Sequence, residues 1–243
     1  NTGIWDDDDA PEERGERRRV GGGGQGLQRL AILVVVLLLI VGIGIWQVRS
    51  CQRQQEIDRY KSYATAANAI SKQSADIGKQ YAQAWLKQGQ TVQGFVSDVK
   101  GLAQKQDAIA KSAAKLSGPG GLSGLNVFEV QAMQLRTAGL NAVADAVQKA
   151  GTSAGKDGKI TDAATLAIIR AGSRLNASDA VHADSFQGPA QKVIDGKGIK
   201  GTSIDASEFV SDDTLQLTGT DRFTSVIESW LLGNGGGGGL AQG

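Results

Sequence analysis

A run of apolar residues from Leu30 to Trp46, with no charged or amide side chain, constrains this chain most strongly. At about 1.5 Å rise per residue, a helix over this run covers roughly 25 Å, and extending it to Leu27 and Val48 reaches the thickness of a hydrocarbon core. The run is apolar on every helical face, unlike an amphipathic helix of a soluble domain. The sequence therefore predicts a transmembrane helix over residues 30–48.

Features on either side of the run favour a spanning helix over a cleaved signal peptide. The apolar run is longer than the usual core of a signal peptide, and the polar stretch before it is long. Arg29 at one end can extend its charge to the headgroups, and Trp46 at the other end is of the type that sits at the interface. We predict Arg29 and Trp46 as membrane anchors and the lipid bilayer as a partner.

The distribution of basic residues predicts the orientation. Five arginines precede the run, and four basic residues follow it within a similar distance. Because Arg17, Arg18 and Arg19 are adjacent, we place residues 1–29 in the cytoplasm as a disordered charged tail. The remainder would be extracytoplasmic, in a protein localised to the cell membrane.

Cys51 is the single cysteine, so no disulfide can form within the chain. A lipid-modified cysteine is disfavoured because Arg49 stands where such signals have small or apolar residues. Two states remain: a free thiol, which the sequence favours, and an inter-chain disulfide between two copies if the residue faces an oxidising compartment.

Apolar residues beyond the run recur at spacings of three and four, which predicts helices with one buried face. The first continues from the membrane to about Lys87, and its opening turns, rich in Arg and Gln, form a solvated stalk. Gly89 interrupts the pattern, and Thr91 is predicted to cap a second helix that runs to about Ser117. Glycines at 118, 120 and 121, with Pro119, end that helix.

Two further helices follow. Asn126 and Glu129 approach a capping box at the start of the third, which ends near Gly151. Thr161 or Asp162 is predicted to cap the fourth, which runs towards Phe186. The residues predicted to face inward on the third are Val127, Val130, Leu135, Leu140, Val143 and Val147. Those on the fourth are Ala163, Leu166, Ile169, Ala177 and Val181.

Short loops between these helices predict an antiparallel four-helix bundle over residues 49–188, so the fold class is mainly all-α. A mixed segment over 189–232 should pack on the bundle. It contains β-favouring residues at 199–210 and a final amphipathic helix at 220–232. Residues 233–243 read as a flexible glycine-rich tail.

Charge and residue counts exclude several classes of function. With 26 basic and 25 acidic residues the formal charge is +1, which gives no footprint for nucleic acid, so none is expected as a partner. One cysteine and one histidine rule out metal sites that need several thiolates or two imidazoles. Any Ser-His-Asp triad would depend on His182, whose neighbours Asp179, Asp184 and Ser185 share its helix and cannot adopt triad geometry. We therefore interpret His182 as structural.

Motifs for bound cofactors are incomplete, and no cofactor is expected. Residues 153–164 follow a calcium-loop pattern at Asp157 and Gly158, but Ala164 stands where the bidentate glutamate is needed. The glycine run at 196–201 lacks the strand and the Lys-Ser/Thr ending of a phosphate loop. Trp85 and Trp230 could line a ligand pocket or fill gaps in an Ala-rich core, and the sequence favours packing.

Taken together, an Arg-rich tail, a single span, a Gln/Arg stalk with one cysteine and the stretch from Asp205 to Asp213 carry a resemblance. The chain resembles uncharacterised single-pass envelope membrane proteins of high-GC Gram-positive bacteria with a helical ectodomain. That resemblance implies topology and class, and it implies no activity, catalytic residue or cofactor.

Three classes of function fit the sequence to different degrees. An envelope-anchored interaction or scaffold module fits the stalk, the helical domain and the missing catalytic set, with another envelope protein or a second copy as partner. A ligand-binding or sensory ectodomain acting through a partner protein is the alternative. An enzyme is not expected, because no set of acid, base and nucleophile can be assembled.

Overall fold

The computed structural model describes the backbone of residues 23–210 and 220–233, and the side chains of 33–41, 52–210 and 222–233. The regular secondary structure of these residues is helical, and no strand occurs among them. In chain order the elements are α1 (Gly23–Leu86), α2 (Val92–Ala113), a 3-10 turn (Gly120–Leu122), α3 (Asn126–Ser153), α4 (Asp162–Ala180), a π-helical segment (Val181–Gln187), α5 (Gly188–Gly196) and α6 (Thr220–Leu231). The predicted all-α class is confirmed.

The chain divides into two compact units, residues 1–53 and 54–243. In the first unit, the apolar side chains from Leu33 to Val41 are all exposed, with exposed fractions between 44% at Val36 and 68% at Leu33. The second unit is a packed helical bundle in which α2, α3 and α4 contact one another in chain order.

Several predictions fall outside the described side chains. They concern residues 1–22 of the charged tail predicted over 1–29, most of the glycine-rich tail, and the side chains of Arg29, Trp46 and Cys51. The backbone of residues 23–29, predicted as part of the disordered tail, belongs to α1. The predicted span over 30–48 is described in full only between residues 33 and 41. Within the part of the chain that is described, no helix combines the length and apolarity needed to cross a membrane.

Side-chain caps explain where two helices of the bundle, α2 and α4, begin. Thr91 accepts a hydrogen bond from the backbone N–H of Gly94 at 3.0 Å and starts α2, as predicted. Thr161 does the same for α4 through Ala164 at 3.2 Å, which decides between the two predicted caps. The second helix ends at Ala113, earlier than predicted.

The buried face of α1 agrees with the predicted spacing. Its buried apolar side chains are Tyr60, Tyr63, Ala64, Ala67, Ile70, Ile77, Tyr81, Ala84 and Trp85. On α2, the buried side chains include Phe95, Val96 and Val99. Trp85 stacks on Trp230 with ring centroids 5.5 Å apart and packs on Phe95 at 4.2 Å, so both tryptophans fill the core.

The capping box predicted at the start of α3 is wrong. Asn126 is the first helical residue rather than the cap, and the capping position, Leu125, makes no side-chain bond. Glu129 is fully buried and faces the bundle, and Val127, predicted inward, is 60% exposed. The side chain of Asn126 has interior partners instead of free N–H groups of its own helix.

The predicted buried face of α4 is rotated from the observed one. Leu166 and Ala177 are exposed, whereas the buried residues are Ile168, Ala171, Leu175 and Ser178, continued by His182 in the π-helical segment. The observed spacing alternates three and four residues, as a helix requires, but two of these five positions are polar. A prediction from the apolar residues alone therefore placed the buried face of α4 on a neighbouring side of the helix.

The segment after α5 packs on the bundle as predicted, but its β-favouring residues form no strand. Residues 202–210, here called the strap, have no regular secondary structure, and Ile204, Phe209 and Val210 are buried. Helix α6 adds Phe223, Ile227 and Trp230 to the core.

Candidate functional site

Buried polar side chains form a connected network in the middle of the bundle, and we treat it as the candidate site. It contains residues of α1, α2, α3, α4, the π-helical segment and the strap. Its buried polar side chains are Ser71, Ser74, Gln106, Asn126, Glu129, Arg136, Ser178, His182 and Ser207.

Arg136 is fully buried, and every N–H of its guanidinium donates a hydrogen bond. Nε donates to Ser178 Oγ at 3.2 Å, and Nη1 donates to Ser74 Oγ at 2.7 Å and Ser207 Oγ at 2.8 Å. Nη2 donates to Asp179 Oδ1 at 2.8 Å and to the Ser207 carbonyl at 2.6 Å. The guanidinium thereby joins α1, α3, α4 and the strap.

Neighbouring groups stabilise the charged form of Arg136 and offset the cost of burying it. Burial lowers the pKa of Arg136 from its ordinary value, while the carboxylates of Asp179 and then Glu129 raise it. The guanidinium also lies 5.3 Å from the ring centroid of Phe209, on the strap. Because every N–H group of the Arg136 guanidinium is donated within the protein, this side chain stabilises the packing of the bundle and is not available to bind an anion.

Asp179 links Arg136 to the backbone of the strap. Its carboxylate accepts from the N–H of Phe209 at 3.1 Å and of Val210 at 3.0 Å. The same carboxylate is the ion partner of Arg136 and is 22% exposed. One side chain therefore neutralises the buried cation and fixes the end of the strap.

The middle of the strap is bound by side-chain amides, which replace the partners it would have in a sheet. Asn68 donates from Nδ2 to the Ser203 carbonyl and accepts from the N–H of Asp205, both at 2.9 Å. Gln191 Oε1 accepts from the N–H of Ile204 at 2.9 Å. These bonds explain why β-favouring residues lie in an irregular segment.

Gly78 on α1 lets the strap approach the helix. A Cβ at this position would meet the backbone of Phe209, 2.9 Å from its carbonyl carbon and its Cα and still closer to its oxygen. A Cβ cannot approach other atoms so closely. Because the atoms that it would meet belong to the backbone of Phe209, they cannot move aside as the end of a flexible side chain could. The sequence gives no sign of this role, because Gly78 lies within an otherwise regular helical pattern.

A second group, Glu129, His182 and Ser71, lies beside the first and is at most 1% exposed. Ser71 Oγ donates to Glu129 Oε1 at 3.3 Å and is 3.1 Å from Nε2 of His182. Glu129 Oε2 is also 3.1 Å from Nε2, without accepting a hydrogen bond from it. In a catalytic triad the acid and the nucleophile contact opposite ring nitrogens, whereas here both contact Nε2.

Tyr63 and Asn126 complete the network towards the end of α2. The Tyr63 hydroxyl donates to Asn126 Oδ1 at 3.0 Å, and Asn126 Nδ2 donates to the carbonyls of Ala113 and Leu116 at 3.1 and 3.3 Å. Burial raises the pKa of Tyr63, and the nearby Glu129 carboxylate raises it further. Asn126 thus satisfies the carbonyls that α2 leaves free at its end.

Concave surfaces on the bundle are open grooves. One, of about 550 Å³, lies between α1 and α2 and is bordered by Gln80, Lys87, Asp98 and Lys105. A second, of about 480 Å³, lies between α4 and α6.

The predicted loop around Asp157 is a turn in which Gly158 has a φ of 75°. Among the described residues, no group of three potential metal ligands occurs.

Comparison with known proteins adds no relative. The chain matches no family model, no curated protein and no solved structure.

Proposed function

We propose that the protein is a membrane-anchored interaction or scaffold protein of the cell envelope, with an extracytoplasmic helical domain and no catalysis. The observation that carries the proposal is the unbroken exposure of the apolar side chains from Leu33 to Val41. Removing a single valine, leucine or isoleucine side chain from water stabilises a protein by about 1.5–3 kcal/mol. A run of this length is expected to be covered, and a bilayer covers every face of a helix at once.

The expected architecture is a transmembrane helix over residues 30–48 that continues into an antiparallel four-helix bundle. The charged tail would face the cytoplasm, and the bundle with the strap and α6 would face outwards. Supporting this division, the apolar side chains of the second unit are mostly inside the bundle, whereas those from Leu33 to Val41 are exposed. The partner would be another envelope protein or a second copy.

The scaffold interpretation is supported by how the polar groups of the bundle are used. The N–H groups of Arg136 are all donated internally, and Glu129, Ser71 and His182 contact one another in the interior. Polar groups that are both buried and mutually paired hold helices in register. None of these side chains lines either of the two grooves on the described part of the bundle, where ligand-binding groups would converge.

Crosslinking from the bundle surface tests the proposal. A photoreactive amino acid would replace exposed Val127 or Leu166 in the full chain, expressed in its native membranes, and adducts would be identified by mass spectrometry. We expect a discrete protein adduct from at least one position, and an adduct between two copies would identify the partner as the chain itself. Placing the group at buried Leu140 provides the control. Absence of any protein adduct from several exposed positions would contradict the scaffold proposal.

The groove between α4 and α6 supports the ligand-binding alternative. Its walls combine Ile160, Leu166 and Ile169 with the carboxylates of Asp162 and Glu228. If a small molecule binds there, a fractionated cell extract should raise the unfolding temperature of the full chain. The same fraction should have no effect on Leu166→Glu, and a fraction that acts equally on both proteins would count against the alternative.

A further inference from the structure

One end of the bundle gathers basic side chains from three separate segments. Lys197 Nζ lies 2.8 Å from Glu56 Oε1 and 5.9 Å from the ring centroid of Tyr60. An ideal Cβ on Gly120 would lie 2.8 Å from the Tyr60 hydroxyl, so the loop after α2 reaches the same place. We call this the basic end and define it as residues 54–61, 114–125 and 188–203.

Exposed charges at the basic end are unbalanced. Six basic residues face three acidic ones there, although the whole chain carries only +1. The basic residues are Arg59, Lys61, Lys115, Lys192, Lys197 and Lys200, and the acidic ones are Glu56, Asp58 and Asp195. The opposite end, over residues 86–98, 149–162 and 228–233, carries equal numbers of basic and acidic residues, four of each. The positive charge is therefore local to one end.

Only a short stretch of chain separates the predicted span from the first residues of the basic end. Glu56 follows Val48 by eight residues, which span at most about 29 Å when extended and about 12 Å when helical. This end is therefore tethered within reach of any bilayer that holds residues 30–48. The potential of an anionic surface decays over a Debye length of about 8–10 Å, so contact requires this proximity.

We propose that the basic end binds the phosphate headgroups of anionic lipids in the bilayer that holds the anchor. The inference rests on the membrane anchoring proposed above and adds the partner of this surface. Lysine suits the role, because its ammonium group is a mobile point charge on a long stem that can follow fluid headgroups. Contact at this end fixes the tilt of the bundle against the membrane and leaves the grooves and the opposite end free for a protein partner.

Energy transfer between the bundle and the lipid surface tests this inference. The full chain, carrying Cys51→Ser and one fluorescent donor at Ser117→Cys, would be reconstituted with acceptor-labelled lipid. The bilayer would be phosphatidylcholine alone or phosphatidylcholine mixed with phosphatidylglycerol. We expect higher transfer in the anionic bilayer, with the increment lost at high salt. A donor at Gln88→Cys, at the opposite end, should show no such rise.

Two matched sets of charge reversals separate the basic end from net charge. The triple variant Lys115→Glu, Lys192→Glu and Lys200→Glu should lose the increment. A second triple variant with the same change in total charge, Lys149→Glu, Lys156→Glu and Lys159→Glu, should keep it. Circular dichroism confirms that each variant is folded. Equal transfer in both bilayers, or equal loss in both triple variants, would overturn the inference.

Flotation of the same samples distinguishes this inference from the anchor. A chain that floats with phosphatidylcholine vesicles but shows no dependence on anionic lipid retains its anchor and lacks the proposed headgroup contact. A chain that fails to float with phosphatidylcholine vesicles overturns the anchor, and the inference with it.

Discussion

Nη2 of Arg136 on α3 donates to Oδ1 of Asp179 on α4 at 2.8 Å, and the same carboxylate accepts from two backbone N–H groups of the strap. This pair therefore links the interior of the bundle to a segment that has no secondary structure of its own. Removing Arg136 should destabilise the whole bundle, and removing the Asp179 carboxylate should in addition release the end of the strap.

Replacing Arg136 by methionine should lower the free energy of unfolding by about 3–5 kcal/mol, because it leaves Asp179 without its ion partner and several buried oxygens without donors. Urea denaturation followed by circular dichroism measures the change. Lys100→Met is the control, because Lys100 pairs with Asp145 at 3.1 Å on the surface, where such pairs contribute less than about 1 kcal/mol. Similar losses in both variants would show that Arg136 is not central to stability.

Asp179→Asn should loosen the strap. The amide offers one acceptor oxygen instead of two and no negative charge, so the N–H groups of Phe209 and Val210 lose charge-assisted bonds. We expect faster hydrogen exchange at these two residues, with exchange in α2 changed much less. Asp145→Asn on the surface serves as the comparison. Unchanged exchange at Phe209 and Val210 would exclude Asp179 as the fastening of the strap.

Gly78→Ala should destabilise the fold by about 2 kcal/mol or more, since the added Cβ collides with the backbone of Phe209 and one of the two must shift. Gly172→Ala provides a matched control within α4, where a Cβ meets nothing within 4 Å. Alanine is the better helix former, so this control should be neutral or stabilising by up to about 1 kcal/mol. The comparison uses thermal unfolding, and equal behaviour of the two variants would refute the close approach of the strap.

Stability should fall at alkaline pH through Tyr63 and Tyr81. Burial raises the pKa of both phenols above their unfolded value of about 10, and the Glu129 carboxylate adds to the effect at Tyr63. A raised folded pKa means that this stability is complete below about pH 10 and is lost as the pH rises towards the folded pKa. The double variant Tyr63→Phe and Tyr81→Phe should therefore show a shallower decline in urea midpoint above about pH 10. A decline as steep as that of the wild type would contradict this account.

Apolar periodicity was sufficient to predict the class of fold, because the buried faces of α1 and α2 consist of residues such as Tyr60, Phe95 and Val99. Glycines and capping residues between the periodic segments predicted most helix boundaries to within a few residues. Apolar periodicity failed where the interior is polar. Ser178 and His182 occupy two positions of the buried face of α4, so the apolar residues nearby indicated a neighbouring face.

The candidate site itself could not be predicted from spacing. Arg136, Glu129 and Ser71 are common surface residue types, and their burial depends on partners that are 42 to 111 residues away in the chain. Similarly, Asn126 and Glu129 fit the local pattern of a helix cap, but interior partners hold both side chains. Local rules describe the cost of a free N–H group at a helix end, and they do not include acceptors supplied by other helices.

The location of residues 33–41 tests the central claim most directly. Cells expressing the full chain would be disrupted without detergent, and the membranes would be extracted at alkaline pH, which releases peripheral proteins. We predict that the chain stays with the membrane pellet, and that Leu37→Arg combined with Leu38→Arg shifts it to the supernatant, because each charge costs about 2.5–3.5 kcal/mol at the centre of a spanning helix. Recovery of the unaltered chain in the soluble fraction would contradict the account.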